Sequence, residues 1–329
     1  MSEILMPVRL SDSIIRDLEQ RHHVHRLWEA PDAEAFLADV ASRIEVIVTA
    51  GSILASGMTL MVDASFIARF PKLKLIANHG VGYDTVDAAF SASRGITVTN
   101  TPDVLTDETA DTAFGLVLST VREFSAAERY LRAGQWMNGP YRLTASLRGK
   151  TMGILGLGRI GKAIAKRGEV FGLTIAYCGR NKQADVAYVY HATPQALAQA
   201  CDILVVAAPG GLQTRNIIDA NVLKTLGPQG FLINIARGSL VDEAALIEAL
   251  RSGIIAGAGL DVFAHEPKVP DAFLSLENVV LLPHVGSASV ETRKAMADLL
   301  IANVDAYATG GQLLTPVPEC MLARASARC

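Results

Sequence analysis

The segment Gly156-Leu157-Gly158-Arg159-Ile160-Gly161 lies nearly halfway along a chain of 329 residues, and it limits the possible folds more than any other stretch. The apolar run Met152 to Leu155 leads in, and a helix-like stretch to Phe171 leads out. In the order strand, glycine turn, helix, each glycine has a task. The first permits a tight turn, the second lets the backbone approach a pyrophosphate, and the third lets the helix pack closely on the strand. The start of the helix adds unpaired N–H groups and a partial positive charge. The next strand-like segment, Leu173 to Tyr177, runs into Cys178-Gly179-Arg180-Asn181-Lys182. A carboxylate there would hold a ribose 2′-OH, whereas a glycine, an arginine and an amide suit a 2′-phosphate. The turn therefore reads as an NADP(H) site, with a whole further domain in front of it.

Bulk properties narrow the setting. The length suggests two domains. Half of the residues are hydrophobic and 19% are charged, which permits a large core and argues against disorder. A formal net charge of −3 gives no general basic surface for nucleic acid, so nucleic acid is not an expected partner. No apolar run approaches the roughly 20 residues that span a bilayer, so no membrane association is expected. Met1 to Leu10 lacks the features of a signal peptide. Cys178, Cys201, Cys320 and Cys329 show neither C-x-x-C nor metal spacing, and a cytoplasmic setting follows as the expectation.

Short apolar strand candidates alternate with helix-like stretches along the whole chain, the pattern of α/β folds with parallel sheets. Ahead of the glycine turn they are Ile4 to Met6, Val24 to Leu27, Ile44 to Thr49, Leu73 to Ala77 and Ile96 to Thr99. From the turn onward they are Ile154-Leu155, Thr174 to Tyr177, Ala187 to Tyr190, Ile203 to Ala207, Phe231 to Ile235, Gly257 to Leu260 and Val279 to Leu282. The fold class is α/β, with two doubly wound parallel-sheet domains. One long helix is expected over Thr109 to Leu131, started by Thr106-Asp107-Glu108 and ended by Gly134. A second, Val290 to Tyr307, is expected to return to the first unit. The residues from about Leu322 are expected to fray.

Three polar residues follow strands of the second unit: Arg237, Glu266 and His284. In open α/β sheets, ligands bind beyond the carboxyl ends of the strands, where these three should gather. A fixed cation can orient and polarise a 2-oxo acid, and an imidazolium can protonate the developing alkoxide. A carboxylate on the other ring nitrogen would favour the charged ring and orient it. Taken singly, the arginine could be a surface ion-pair partner, the glutamate a turn residue and the histidine a satisfied core residue. Their joint placement after a dinucleotide turn favours chemistry. Asn78 to Asp84 is a candidate anion site, since its glycines could expose successive N–H groups; a plain strand-to-helix turn is the alternative. His22, His23 and His25 are expected to scatter over two faces of a strand, without forming a metal site.

The segments Gly156 to Gly161, Asn234 to Glu243, Gly259 to Pro267 and Leu281 to Ser289 together resemble the D-isomer-specific 2-hydroxyacid dehydrogenase family. Thr99 to Thr106 and Pro283 to Ser287 resemble its glyoxylate/hydroxypyruvate reductase branch, and Trp136 with Tyr141 to Thr144 resembles the hydroxyphenylpyruvate reductases within it. The resemblance covers nearly the whole chain. It implies a Rossmann cofactor domain, residues 102–288, inserted into a flavodoxin-like substrate domain, residues 1–101 and 289–329. It implies Arg237 as substrate binder, His284 as proton donor, Glu266 as its partner, and Val81 and Gly82 as holders of the substrate carboxylate. Glu266 stands where a formate dehydrogenase would carry an amide.

For the cofactor, Leu157, Gly158, Arg159 and Ile160 are expected at the pyrophosphate beside Gly156. Gly179, Arg180 and Asn181 are expected at the adenosine ribose, and Ile235 and Asp261 on the nicotinamide side. Gly210-Gly211 departs from the usual adenine-side pattern. Trp136 either reaches a partner subunit's substrate site in a homodimer or packs within its own chain. The expected activity is NADPH-dependent reduction of glyoxylate or hydroxypyruvate to the 2-hydroxy acid. Alternatives are an aromatic 2-oxo acid, such as hydroxyphenylpyruvate, or a nucleotide-sensing binding protein related to co-repressors.

Overall fold

Among the described residues every strand is parallel to its neighbours, and the strands form two sheets. The computed structural model describes residues 1–50 and 61–326, without the side chains of 323–326. Cys329 lies outside the described residues. The chain divides into two compact units, Met1–Leu105 with Ser289–Cys329, and Thr106–Ala288.

The first unit holds β1 (Glu3–Met6), β2 (His23–Arg26), β3 (Val46–Ala50), β4 (Leu75–His79) and β5 (Thr97–Thr99), in the order β2-β1-β3-β4-β5. That is the flavodoxin-like order. Alternate residues face opposite sides of the sheet, which builds two cores. Leu5, Ile47, Ile76 and Val98 pack on one side with Val317 and Cys320. Ile4, Met6, Val46, Val48 and Leu75 pack on the other with Ala297, Leu300, Ile301 and Val304. The helix Val290–Ala308 thus covers one face of a sheet whose strands all lie before residue 100. The tail does not fray at Leu322, because helix Pro318–Ser326 forms there. Proline at a first helical position, where no N–H is needed, is the signal for it.

The second unit holds β6 (Thr151–Leu155), β7 (Thr174–Cys178), β8 (Val189–His191), β9 (Ile203–Val206), β10 (Phe231–Asn234), β11 (Gly257–Leu260) and β12 (Val279–Leu281). Their order is β12-β11-β10-β9-β6-β7-β8, the Rossmann arrangement with one added edge strand. The strands are nearly continuous apolar runs because helices cover both faces.

The single long helix expected over Thr109 to Leu131 is two helices, Thr106–Val121 and Phe124–Arg132. The chain breaks at Glu123, which takes a left-handed conformation with φ 53°. Its carboxylate accepts hydrogen bonds from the Tyr141 hydroxyl at 2.6 Å and from Arg142 Nε at 2.8 Å. Neither glycine nor proline marks the break, so tertiary anchoring overrides the helical pattern.

Candidate active site

The parallel register sets the catalytic candidates at one level. Asn234, Leu260 and Leu281 are aligned across β10, β11 and β12, so the loops that follow leave the sheet together. After β10, Asn234 shapes the exit: its side chain accepts from the Ala236 N–H at 3.1 Å and donates to the Arg237 carbonyl at 2.9 Å. The half-buried Arg237 follows, with Nη1 donating to the Ala236 carbonyl at 2.8 Å. After β11, Glu266 folds back so that Oε1 accepts the Phe263 N–H at 2.9 Å. Its other oxygen, Oε2, lies 2.7 Å from His284 Nδ1, and the glutamate side chain is only 11% exposed.

His284 sits in a left-handed conformation, φ 55°, which costs about 1–3 kcal/mol and persists only where the surroundings over-determine it. Here they do. The His284 N–H donates to the Asp261 carbonyl at 2.8 Å, and the N–H groups of Val285 and Gly286 donate to the two oxygens of the Asp261 carboxylate at 2.7 and 2.8 Å. Asp261 is buried, and burial pushes its carboxyl above the usual range while these two donors pull it down. One buried side chain therefore presents the imidazole. With Nδ1 engaged by Glu266, Nε2 is the ring nitrogen that remains for another partner.

In the turn after β6, Gly156 has φ 97°, and a Cβ there would lie 2.5 Å from the Ala208 nitrogen. A Cβ at Gly161 would lie 2.2 Å from the Gly156 carbonyl oxygen. Both positions demand glycine. A Cβ at Gly158 would meet nothing within 4 Å, so that backbone is open to a group laid against it. Gly158 also caps helix Arg159–Val170 without any side-chain bond, which leaves N–H groups of its first turn for a ligand. This cradle fits a dinucleotide pyrophosphate.

The loop after β7 carries Gly179, Arg180 and Asn181. The arginine and asparagine are exposed, and Arg180 has no acidic partner among the described residues. Gln183 fastens this loop: its N–H donates to the hydroxyl of the fully buried Tyr177 at 2.7 Å, and its Nε2 donates to the Leu157 carbonyl at 2.8 Å. Lys162 and Asp185 add an ion pair at 2.6 Å. Ile235 is buried beyond β10, its N–H donating to the Val206 carbonyl at 3.4 Å.

In the first unit, Val81 and Gly82 follow β4 in a turn held by side chains. Asn78 Nδ2 donates to the carbonyls of Gly80 and Gly82 at 3.1 and 3.0 Å, and Asn100 Nδ2 to that of Val81 at 2.8 Å. His79 is next to this turn. Burial, with the positive charge of Arg293 nearby, pushes its imidazole down to about 4.

Two further sets of results bear on this geometry. Residues 114–286 match the family model described as D-isomer specific 2-hydroxyacid dehydrogenase, NAD binding domain. The chain is 47% identical over 314 residues to a glyoxylate/hydroxypyruvate reductase A of Arabidopsis thaliana, covering 95% of this chain and 98% of the relative. The chain belongs to the D-isomer specific 2-hydroxyacid dehydrogenases. A hydroxyphenylpyruvate reductase of Plectranthus scutellarioides is 45% identical over the same length and with the same coverage. The crystal structure of an NADPH-dependent glyoxylate/hydroxypyruvate reductase from Sinorhizobium meliloti, in complex with NADP and malonate, matches with a TM-score of 0.89. It is 47% identical, with 97% of each chain covered.

In this dehydrogenase, Trp136 lies in a short 3-10 helix, Gln135–Asn138, and is 67% exposed. The histidines behave differently from the expectation. His23 and His25, two apart on β2, share one face and both meet the Glu3 carboxylate, at 2.9 and 2.6 Å, while His22 is buried against Asp305. Among the described residues no group of three or more ligating side chains is placed to hold a metal ion. Sequence reasoning missed Asn234, Asp261 as the clamp of the histidine turn, and Gln183. An asparagine at a strand end followed by a donor two residues on is the pattern of an Asx turn, so Asn234 had a signal; Gln183 had none.

Proposed function

We propose that this dehydrogenase reduces a small 2-oxo acid, glyoxylate or hydroxypyruvate, to the corresponding 2-hydroxy acid with NADPH. The observation that carries the reading is the His284–Glu266 pair at 2.7 Å, set beyond β11 and β12 at the level where Arg237 leaves β10. NADPH, when bound, supplies a hydride to the carbonyl carbon. The backbone of Gly156, Leu157, Gly158, Arg159 and Ile160 would hold its pyrophosphate, and Gly179, Arg180 and Asn181 its phosphorylated ribose. Ile235 and Asp261 would border the nicotinamide. The Asp261 carboxylate has lone pairs beyond the two that Val285 and Gly286 engage.

Arg237 binds the acid and polarises its carbonyl through its guanidinium charge. His284 Nε2 delivers the proton to the carbonyl oxygen as the C=O bond becomes C–O–H, and Glu266 keeps the ring aimed. Val81 and Gly82 take the substrate carboxylate through backbone N–H groups. The reaction consumes one proton and oxidises one NADPH for each 2-hydroxy acid formed. The test is loss of NADPH absorbance with a panel of 2-oxo acids, run also with NADH. Turnover of glyoxylate or hydroxypyruvate with preference for NADPH is expected, and no turnover of any acid would sink the reading. The similarity to the hydroxyphenylpyruvate reductase favours an aromatic 2-oxo acid as the second reading, and the same panel decides between them.

A homodimer is part of the proposal. Phe124, Leu131, Trp136, Met137 and Leu143 are exposed apolar side chains on one continuous stretch of chain. An open groove of about 580 Å³, lined by Leu118, Phe124, Val170 and Phe171 together with Arg122 and Arg148, lies in the same unit. Exposed large apolar side chains are a feature of interaction sites, and a second copy is the occupant proposed for these. Trp136 would then serve the partner's substrate site. A cytoplasmic location is supported by free thiols at Cys178, Cys201 and Cys320, together with the absence of any described helix long and apolar enough to cross a membrane.

A further inference from the structure

The geometry points to Asn78 and Asn100 as positioning residues that shape the carboxylate-binding turn of this enzyme, an inference that rests on the reduction reading above. Three consecutive carbonyls, those of Gly80, Val81 and Gly82, are each held by a side-chain amide: the first and third by Asn78 Nδ2, the second by Asn100 Nδ2. Gly80 is further tied at both ends to Thr101, its N–H donating to Oγ1 at 3.0 Å and its carbonyl accepting the Thr101 N–H at 3.1 Å.

A trans peptide is planar, with its C=O and the following N–H directed oppositely. The Glu266–Pro267 bond is the cis bond of the described chain, so the peptides of the turn are trans. Pulling the Gly80 carbonyl toward Asn78 therefore turns the Val81 N–H away from it. Pulling the Val81 carbonyl toward Asn100 turns out the Gly82 N–H in the same manner. Neither N–H donates to another group among the described residues. Two adjacent donors directed away from their own scaffold form an anion-binding concavity. Gly80 makes the turn possible, since its φ of 146° is a conformation that side chains rarely adopt.

Asn78 shows where the fold has placed its interest. It is 1% exposed, and its Oδ1 is buried with no hydrogen-bond partner in the described structure, while its Nδ2 makes two bonds. A buried acceptor without a partner is a cost. What the side chain gives in return is the pair of donors that the turn uses. Each asparagine acts through the peptide it holds, without touching the substrate.

The test compares Asn78→Ala and Asn100→Ala with the unmutated enzyme at saturating NADPH, following glyoxylate reduction and NADPH binding by nucleotide fluorescence. Asn100→Ala frees the Val81 carbonyl outright, while Asn78→Ala leaves the Gly80 carbonyl on the Thr101 N–H alone, so each peptide gains room to rotate. The KM for glyoxylate is expected to rise about tenfold or more, while kcat stays within about threefold and the affinity for NADPH is unchanged. A purely structural role would lower the melting temperature and leave that KM in place, and this result in either folded variant overturns the inference. Should Asn78→Ala fail to fold, Asn100→Ala, which keeps both Asn78 bonds, is decisive by itself. Should it fail as well, Asn100→Asp carries the same test, because it keeps the shape of the side chain and loses the amide donor when ionised. Turnover by the unmutated enzyme with KM unmoved in the variants defeats this inference alone; no turnover of any 2-oxo acid by the unmutated enzyme defeats the reduction reading and this inference with it.

Discussion

Two turns of this enzyme answer to different kinds of instruction. The turn at Gly156 to Gly161 is specified by its own residues: Cβ atoms at Gly156 and Gly161 would collide with backbone, and a twelve-residue helix follows at once. The turn at Gly80 to Gly82 has no such helix behind it, since the next one, Ala88–Ser93, is six residues long. Its donors are aimed by side chains, one of which, Asn100, stands 19 residues further along the chain at the end of another strand. A helix terminus brings a dipole and several N–H groups with it, whereas a turn in a loop has to be held open by something else. The comparison teaches that the donors of a turn can be set locally, in glycine spacing, or non-locally, in the partners of its carbonyls.

The sharpest way to break this comparison is to remove the chemistry and ask whether both turns still bind. His284→Ala should lower the reduction rate by roughly 10²–10⁴, with the affinity for NADPH and the KM for the 2-oxo acid kept. A loss of either binding alongside the rate would mean that the turns are not separate from the histidine. Gly161→Ala attacks the local instruction. A methyl group set 2.2 Å from a backbone oxygen cannot be relieved by a side chain moving aside, and overpacking of this kind costs about 1–3 kcal/mol. NADPH titration should therefore show affinity weaker by roughly tenfold to a hundredfold; an unchanged dissociation constant would show that the turn tolerates what its geometry forbids.

Arg180→Ala sharpens the local side further. A hydrogen bond to a charged group contributes about 1.5–3 kcal/mol, and exposure keeps this one near the lower end, so NADPH should bind roughly tenfold more weakly. NADH should be scarcely affected, and equal losses for both nucleotides would remove Arg180 from recognition of the 2′-phosphate. The smallest effect at neutral pH concerns His79, beside the non-locally held turn. Its folded-state value of about 4 lies below the ordinary 6.5, so the unfolded chain takes up a proton first as pH falls. Stability contributed by the neutral ring is complete above pH 6.5 and is lost as pH drops toward 4. Urea unfolding midpoints should fall across that window, and His79→Gln should flatten the fall. An identical slope in the variant would place the acid sensitivity elsewhere.

The same contrast explains what could be read from residues alone. The α/β class and both sheets follow from apolar runs and turn residues, and Arg237, Glu266 and His284 stand out because each follows a strand. The pairing of Glu266 with His284 could be expected; the Asp261 clamp that holds His284 left-handed could not, because it depends on two N–H groups meeting one buried carboxylate and a third meeting the carbonyl of the same residue. The break at Glu123 was equally hidden. Nothing local interrupts the helix, and the anchors, Tyr141 and Arg142, lie on chain that folds back later. Gln183 and Asn100 share this property. Their work is to hold carbonyls belonging to other loops, and a spacing rule does not reach that far.

Asn100 has one more dependence. Its backbone is held by Thr315, 215 positions further along the chain, whose hydroxyl donates to the Asn100 carbonyl at 2.6 Å, and Thr315 is held in turn by the fully buried Asn303. On a ribosome adding about 5–20 residues each second, that interval lasts roughly 10–40 s. The nucleotide-binding unit can be complete while the first hundred residues still wait for the helix that covers Ile4, Met6, Val46 and Val48. The first unit is therefore the last to be completed although most of it is made first, and until then one apolar face of its sheet stays uncovered. Synthesis rate, and any chaperone that shields that face, thus bear on how much active enzyme a cell obtains.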